Sequence, residues 1–224
     1  MKKSFFIILI LLSLFSHTST SEIFTTDDLV VRNKLYYEKF TNIPFSGELY
    51  DRKHLFGSIV NGKKEGEWLS YHENGQVDSK EIYKNGKLER IVQYYANGDL
   101  SYKQIYKNGK TESSVSYYEN GEVRFQNYYK HGKQHGDKIF TDRYGQKYYD
   151  TFKNGIKHGL SEKYYSTGQL YFEGSYKEGK ENGLFKLFYK NGGLMSKGHF
   201  KNGNQDGLWE YFNEDGSIQK IETY

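Results

Sequence analysis

The stretch IVQYYANGDLSYKQIYKNG, residues 91–109, contains two turn signals, Asn97-Gly98 and Asn108-Gly109, separated by one short run. Asn-Gly is a strong hairpin signal because both residues tolerate the positive φ angles of a type I′ turn, whose twist matches that of antiparallel strands. The run between the two turns is long enough for one strand. The stretch therefore predicts a β-hairpin that continues directly into the next one.

Turn glycines recur through the chain with a fixed period. Fourteen of them follow one another at intervals of 10 to 13 residues, and nine are preceded by Asn. Every second one comes 23 or 24 residues after its predecessor, at positions 62, 86, 109, 132, 155, 179 and 203; the others are at 75, 98, 121, 145, 168, 192 and 216. Such regularity is typical of stacked repeats. The single proline, Pro44, precedes the array, so strand pairing is not interrupted within it.

Tyrosine dominates the apolar content of the chain. There are 23 Tyr and 15 Phe but only 2 Trp and 2 Met, and hydrophobic residues make up 36% of the total. Tyr buries its ring while its hydroxyl stays in water, which suits a thin sheet. We therefore predict an all-β fold: an elongated single-layer antiparallel β meander of about seven 23-residue hairpin repeats. We expect an N-terminal segment at 22–65 that leads into the first, atypical repeat, followed by the regular array at 66–224.

Residues 1–21 have the pattern of a secretory signal peptide. Lys2 and Lys3 precede an apolar run from Phe5 to Phe15, and small polar residues follow. The run is too short to span a bilayer; a retained anchor or a buried strand is the alternative interpretation. We predict an exported protein, periplasmic, envelope-associated or secreted, with no stable membrane insertion after signal cleavage. Since the chain has no Cys, disulfides cannot brace it.

The charge pattern argues against a nucleic-acid partner. The chain has 32 Lys and Arg against 28 Asp and Glu, and removal of Lys2 and Lys3 leaves 30 against 28. Lysines and glutamates are interspersed around the turns without a block of five like charges, which is typical of a solvated surface with protected sheet edges. A nucleic-acid site needs a concentrated basic stripe, so we expect none.

Two columns of aromatic residues recur in register with the turn glycines. Four residues before one set stand Tyr71, Tyr94, Tyr117, Tyr164, Phe188 and Phe212, and three residues before the other set stand Tyr83, Tyr106, Tyr129, Phe152, Tyr176 and Phe200. Across strands about 4.8 Å apart, these columns are expected to form ladders of neighbouring rings, each pair contributing roughly 0.2–1 kcal/mol. The positions of Phe185 and Trp209 indicate that the last repeats turn a different face inward.

A third column consists of Tyr95, Tyr118, Tyr165 and Tyr189, each directly after a member of the first column. Consecutive residues of a strand point to opposite faces, so we expect these tyrosines on the face opposite the first column. There they are available to a partner, and they are the predicted partner-binding residues.

The repeat unit reads Gly-x-Trp-x-x-Tyr-x-x-Asn-Gly, then seven residues, then Tyr-Lys-Asn-Gly-Lys, and residues 66–87 carry it most completely. This unit resembles the MORN-repeat variant. The preceding segment at 28–47 is similar to the start of YwqK-type proteins, a family of toxin–antitoxin antitoxins. The likeness covers about residues 27–224. It implies an antiparallel meander of hairpins and a protein-interaction role, and it brings no catalytic residues.

The residues themselves offer no reactive constellation. His131 and His135 flank a turn, while His135 and His158 lie 23 residues apart at a position that is variable and polar in other repeats. Neither pair has the further ligands that zinc needs. A Cys nucleophile is excluded, and glycines spaced by strands do not form a phosphate-binding loop. We predict no enzyme activity, no cofactor and no metal.

The sequence thus predicts an exported non-catalytic repeat scaffold that binds another protein. The resemblance to the YwqK-type family implies that this partner is a toxin. The alternative is a glycan- or cell-wall-binding repeat protein, in which exposed tyrosine ladders stack on sugar rings. The sequence does not specify an oligomeric state.

Overall fold

The computed structural model describes residues 23–51 and 54–224, so the predicted signal peptide at 1–21 lies outside the described residues. Apart from the short 3-10 helix Thr26–Asp28, the regular structure consists of strands. Their bounds are β1 Leu29–Arg32, β2 Leu35–Glu38, β3 Gly47–Asp51, β4 His54–Val60, β5 Lys63–Tyr71, β6 Val77–Lys84, β7 Lys87–Tyr94, β8 Leu100–Lys107, β9 Lys110–Tyr117, β10 Val123–Lys130, β11 Lys133–Gln134, β12 Gly136–Thr141, β13 Lys147–Lys153, β14 Ile156–Tyr164, β15 Leu170–Lys177, β16 Lys180–Phe188, β17 Leu194–Lys201, β18 Asn204–Phe212 and β19 Ile218–Thr223. Within the described ranges no helix is long and apolar enough to cross a membrane.

Antiparallel pairing between chain neighbours builds one continuous sheet from β3 to β19. Both β11 and β12 pair with β10, because the strand that returns from the turn is interrupted at His135. The hairpin of β1 and β2 is separate. The predicted all-β single-layer antiparallel meander of hairpins is confirmed.

The turns that recur every 23 or 24 residues are two-residue turns with positive φ at both positions, as at Asn85 (φ 51°) and Gly86 (φ 74°). The same geometry holds where the residue before the glycine is His131 or Glu178 (φ 53° at each). This is the type I′ turn expected from Asn-Gly, because its two left-handed residues match the twist of the strands.

The alternate turns are five-residue loops of a different type, so the type I′ prediction is wrong at Asn74-Gly75, Asn97-Gly98, Asn120-Gly121 and Asn191-Gly192. In the first of these loops, the Gly75 N–H donates to the His72 carbonyl at 2.9 Å and only the glycine has positive φ (84°). The Asn74 side chain instead accepts the Gln76 N–H at 3.0 Å. Asn is therefore used here for its side-chain oxygen rather than for its tolerance of positive φ.

Alternation along the strands gives the sheet two faces. We call the face that carries Trp68 and Trp209 the tryptophan face, and the opposite face, which carries Leu160, Leu184 and Leu208, the leucine face. The two tryptophans stand near the start and near the end of the array at the same strand position. The expectation that the last repeats turn a different face inward is therefore wrong.

Rings of one aromatic column do not stack directly, in contrast to the expected ladders. Equivalent residues of successive repeats are two strands apart, about 9.6 Å, so a side chain from the strand between must bridge them. Phe185 bridges Tyr176 and Phe200, with ring centroids 5.7 and 4.6 Å away, and Trp209 extends this stack 5.1 Å beyond Phe200. The stacks depend on this intervening position, which is aromatic only near the two ends of the array.

The N-terminal segment packs against the first repeat. Leu29, Phe45, Leu49, Ile59 and Trp68 form a buried apolar cluster, in which Leu49 and Ile59 are 0% and 1% exposed. The chain before β1 reaches this cluster by a hydrogen bond from the Tyr50 N–H to the Phe24 carbonyl, 2.8 Å long. This cluster shields apolar surface of the first strands of the sheet from water.

Each tryptophan lies over a glycine of the preceding strand. The Trp68 ring covers Gly57, and the Trp209 ring covers Gly198, with no room for a Cβ atom at either glycine. Each indole N–H donates to the carbonyl of the residue after that glycine, Ser58 or His199, at 3.2 Å. Both Trp rings are nearly buried, at 4% and 7% exposure, so a single-layer sheet obtains local cores by laying rings flat on its own backbone.

We predict that Gly198→Ala lowers the free energy of unfolding by about 1–3 kcal/mol, because the new methyl group overlaps the Trp209 ring. Chemical denaturation measures the change. The same substitution in a Trp209→Leu background is expected to cost clearly less, which a double-mutant cycle reports as coupling. Equal costs in both backgrounds would contradict the contact.

Candidate binding surfaces

The third-column tyrosines lie at the edge of the sheet formed by the five-residue loops. Each hydroxyl donates to a backbone carbonyl one repeat further on: Tyr95 to Tyr117, Tyr118 to Thr141, Tyr165 to Phe188 and Tyr189 to Phe212, at 2.6, 2.9, 3.0 and 2.7 Å. The His72 Nε2 atom occupies the equivalent place, 3.0 Å from the Tyr94 carbonyl oxygen. These hydrogen bonds connect successive repeats along the edge.

The rings of these tyrosines are half-buried, and burial raises the pKa of the Tyr165 hydroxyl. The series is broken at Asp142, whose carboxylate instead accepts the N–H groups of Tyr144 and Gln146 within its own loop, both at 2.9 Å. The structure therefore gives the third column a role in connecting repeats. That these residues also bind a partner stays a prediction.

The tryptophan face is polar in its central repeats. Where Gly57, Gly174 and Gly198 lie under rings, the equivalent residues of the central repeats are polar and 23 residues apart: Glu81, Gln104, Asn127 and Asp150. Ser114 and Ser161 occupy the position of Trp68 and are 6% and 0% exposed. Small buried serines thus leave room for a track of longer polar side chains along the middle of this face.

The polar track is held by neighbouring side chains. The Tyr102 hydroxyl donates to the Gln104 Oε1 atom at 2.6 Å, and the Gln104 Nε2 group donates to the Thr111 Oγ1 atom at 2.7 Å. At the far end of the track, the Asp150 carboxylate accepts the Ser161 hydroxyl at 2.7 Å and pairs with the Lys157 ammonium at 2.7 Å. The side chains therefore have fixed positions.

The near end of the track contains a cation between aromatic rings. The Lys64 Nζ atom lies 4.0 Å from the Trp68 ring centroid, 4.6 Å from that of Tyr83 and 3.8 Å from the Glu81 carboxylate. Burial lowers the pKa of the Lys64 ammonium, against the opposing effect of Glu81. Burial, and then the hydrogen bond to Glu81, raises the pKa of the Tyr83 hydroxyl. At neutral pH the cluster holds one cation against one carboxylate.

An open groove lies over the centre of the polar track. Its volume is about 440 Å³, and its walls include the Tyr102 and Tyr129 rings with the polar groups of Gln104, Thr111 and Ser114. Close by, the Ser116 hydroxyl is buried without a hydrogen-bond partner among the described residues. The groove joins aromatic surfaces to fixed hydrogen-bonding groups.

The leucine face exposes a row of aliphatic side chains. Leu160, Leu184 and Leu208 each follow the third glycine of a repeat and are 47%, 37% and 54% exposed. They lie two strands, about 9.6 Å, from one another. Beside the row, Lys186 pairs with Glu173 at 3.0 Å and Lys197 pairs with Glu210 at 2.8 Å. This surface combines regularly spaced apolar groups with paired charges.

The histidines do not assemble a reactive site. His131 and His135 line an edge cavity of about 590 Å³ with Lys107, Lys110 and Tyr129, and the His135 Nδ1 atom accepts the Asn154 N–H at 3.4 Å. Across residues 23–51 and 54–224, no three His, Asp or Glu side chains are grouped so as to hold a metal ion.

Comparison with known proteins identifies the repeat. The sequence pattern of the family described as MORN repeat variant matches six segments, which together make up more than half of the chain: 64–85, 90–108, 114–131, 157–178, 181–202 and 205–224. The unmatched segment 132–156 contains the strand that is interrupted at His135. No curated protein shows significant similarity to the chain.

Solved structures share only a low level of likeness with this chain. Accessory secretory protein 1, 2 and 3 of Streptococcus pneumoniae gives 12% identity and a TM-score of 0.29, over 62% of this chain and 23% of that one. A mutant of S. aureus TarM in complex with fondaparinux, alpha-GlcNAc-glycerol and UDP gives 11% and 0.21, over 54% and 19%. The GtfA/B complex bound to UDP and GlcNAc gives 12% and 0.24, over 61% and 28%. The chain spans less than a third of each of these structures, and at these TM-scores the likeness carries no functional argument.

We predict that Tyr118→Phe lowers the free energy of unfolding by about 0.5–1.5 kcal/mol, because the Thr141 carbonyl loses its hydroxyl donor. Thermal or chemical denaturation measures the loss. Tyr144→Phe is the matched control, since the Tyr144 side chain is 67% exposed at a loop tip, and its expected effect is close to zero. Equal effects of the two substitutions would show that the edge hydrogen bonds do not stabilise the array.

Proposed function

Since the chain belongs to the MORN repeat variant family, we propose that it is an exported, non-catalytic repeat scaffold that binds another protein through its leucine face. The observation that carries this proposal is the row formed by Leu160, Leu184 and Leu208, exposed at one step per repeat. Water contacts these aliphatic groups unfavourably, so covering them with a partner is favourable.

The surroundings of the row suit a protein partner. Protein interfaces combine a few apolar anchors with a polar, charged rim. The ion pairs Lys186–Glu173 and Lys197–Glu210 lie beside the leucines, and Ile221 adds a further apolar group on the same face, 51% exposed. A flat sheet with regularly spaced anchors fits an extended protein surface better than a compact small molecule.

The finer identity of the partner rests on the resemblance to YwqK-type antitoxins. It implies that the protein bound is a toxin and that this chain acts as its antitoxin. Export, as the N-terminal sequence predicts, places the pair outside the cytoplasm. The toxin that we propose therefore acts at the cell envelope or beyond it.

The test is affinity capture from native cells with the full-length protein and with Leu184→Glu/Leu208→Glu. We expect one or a few proteins to be recovered with the wild type and lost with this variant, because two carboxylates then stand where apolar contacts form. Ile156→Glu/Ile218→Glu is the matched control, since both isoleucines are exposed, at 50% and 57%, away from the row. Recovery of the same proteins with all three forms would contradict binding by the leucine face.

The toxin assignment has its own readout. Expression of the captured partner alone is expected to arrest growth, and co-expression of the wild-type chain, but not of Leu184→Glu/Leu208→Glu, is expected to restore it. A captured partner that has no effect on growth would rule out the antitoxin role while leaving the scaffold function intact.

A second candidate function is glycan binding, which the groove on the tryptophan face favours. The Tyr102 and Tyr129 rings can stack on a sugar ring, and Gln104 and Thr111 can bond its hydroxyls. Retention on purified peptidoglycan is the measurement. We expect it to be lost in Tyr102→Ala/Tyr129→Ala and kept in Tyr144→Ala, whose ring is exposed elsewhere; equal retention of all forms would dismiss this groove as a glycan site.

A further inference from the structure

The two-residue turns form one edge of the sheet, and the strand ends beside them carry a row of lysines. We call this the lysine edge. Its members are Lys63, Lys84, Lys87, Lys107, Lys110, Lys130, Lys133, Lys153, Lys177, Lys180 and Lys201. All eleven are exposed, and the turns between them contain one acidic residue, Glu178. The edge is therefore strongly basic, although the chain as a whole is nearly neutral.

Lysine occupies eight neighbouring strand ends without interruption, from Lys63 on β5 to Lys153 on β13. Neighbouring strands are about 4.8 Å apart, so the edge presents roughly one positive charge in every 5 Å of its length. In the sequence these lysines are separated by 3 or by about 20 residues. The linear pattern therefore appears mixed while the folded edge does not.

This arrangement costs the sheet stability. At four turns two lysines are directly opposite each other in the register, as Lys84 with Lys87 and Lys107 with Lys110; the other two pairs are 130 with 133 and 177 with 180. Like charges in directly opposed positions are destabilising. Within the described part of the chain, Lys107 is the one member of the row with an ion pair, to Glu112 at 3.6 Å.

The opposite edge has the reverse charge. Its five-residue loops contain seven carboxylates against Arg143 and Lys190; the acids are Glu73, Asp99, Glu119, Glu122, Asp142, Glu214 and Asp215. Charge is thus separated across the width of the sheet. A local rule broken repeatedly without a compensating contact points to a function for the residues concerned.

We propose that the lysine edge binds a linear phosphate polymer that lies along the row. The edge is a line of point charges rather than a pocket, so it matches a chain with phosphates at regular short intervals. Lysine contacts phosphate as a point charge, without the bidentate geometry of Arg. The eleven positions contain no Arg, which favours recognition of backbone charge over recognition of one chemical group. Neutralisation also releases the counterions of both partners.

Other occupants fit this edge less well. A second copy of the chain would have to present its loop edge, but the loops at 142–146 and 165–169 have no net charge, so the match would fail in the middle of the row. A protein partner is expected on the leucine face, which is a different surface. The lysine-edge proposal therefore stands or falls separately from the scaffold function.

The experiment measures binding of the full-length protein to inorganic polyphosphate by fluorescence anisotropy at several salt concentrations. The edge variant is Lys84→Gln/Lys87→Gln/Lys107→Gln/Lys110→Gln. The control, Arg90→Gln/Arg124→Gln/Lys190→Gln/Lys220→Gln, removes the same four charges from exposed positions outside the row. Since the edge variant loses like-charge repulsion, it is expected to melt no lower than the wild type, which separates loss of binding from loss of folding.

We expect the edge variant to bind at least tenfold more weakly than the wild type and the control to change less than about twofold, with a shallower salt dependence in the edge variant. Polymers of roughly 50 phosphates are expected to bind far more tightly than those of roughly 5, because more lysines are engaged at once. Oligothymidylate of equal phosphate number is expected to bind similarly, since its backbone is what the edge contacts.

Three results would overturn the proposal. One is equal binding by the edge variant and the control. Another is the absence of any length dependence, which would indicate isolated anion sites. The last is binding to phosphatidylglycerol vesicles with no binding to either polymer, which would make a lipid surface the ligand.

Discussion

Equivalent residues of successive repeats are held two strands, about 9.6 Å, apart, and every other feature of this protein depends on that spacing. It arises because each strand pairs with its chain neighbours through backbone hydrogen bonds and each hairpin is closed by turns of constant length. A single layer has no second sheet to cover either face. Side chains must therefore be satisfied by residues from adjacent strands or by a partner.

The spacing explains both the cores and the polar centre. Two rings 9.6 Å apart are too distant to touch, so a stack forms only where the intervening position also holds a ring, as with Phe185 and Trp209. In the central repeats that position holds Ser114 or Ser161, and polar side chains lie alongside. The array is thus most apolar toward its ends and most polar at its centre, where the groove lies.

Much of the fold could be predicted because turn chemistry and period are local. Glycine positions located all fourteen turns, but Asn-Gly did not distinguish two-residue turns from five-residue loops, since Asn fits both for different reasons. The surfaces were harder to predict. Tyr95 and its equivalents were expected to be available to a partner, yet their hydroxyls bond to carbonyls 22 or 23 residues away. The lysine edge was hidden because charges distant in the sequence align only after folding.

The most direct test of the spacing is a pair of distances along the lysine edge. The natural chain has no cysteine, so spin labels can be placed at Lys84→Cys/Lys153→Cys and at Lys84→Cys/Lys201→Cys and measured by pulsed electron paramagnetic resonance. The single-layer meander predicts separations of about 29 and about 48 Å, six and ten strand steps. Two short and similar distances would mean that the hairpins fold back on one another, and would contradict the account.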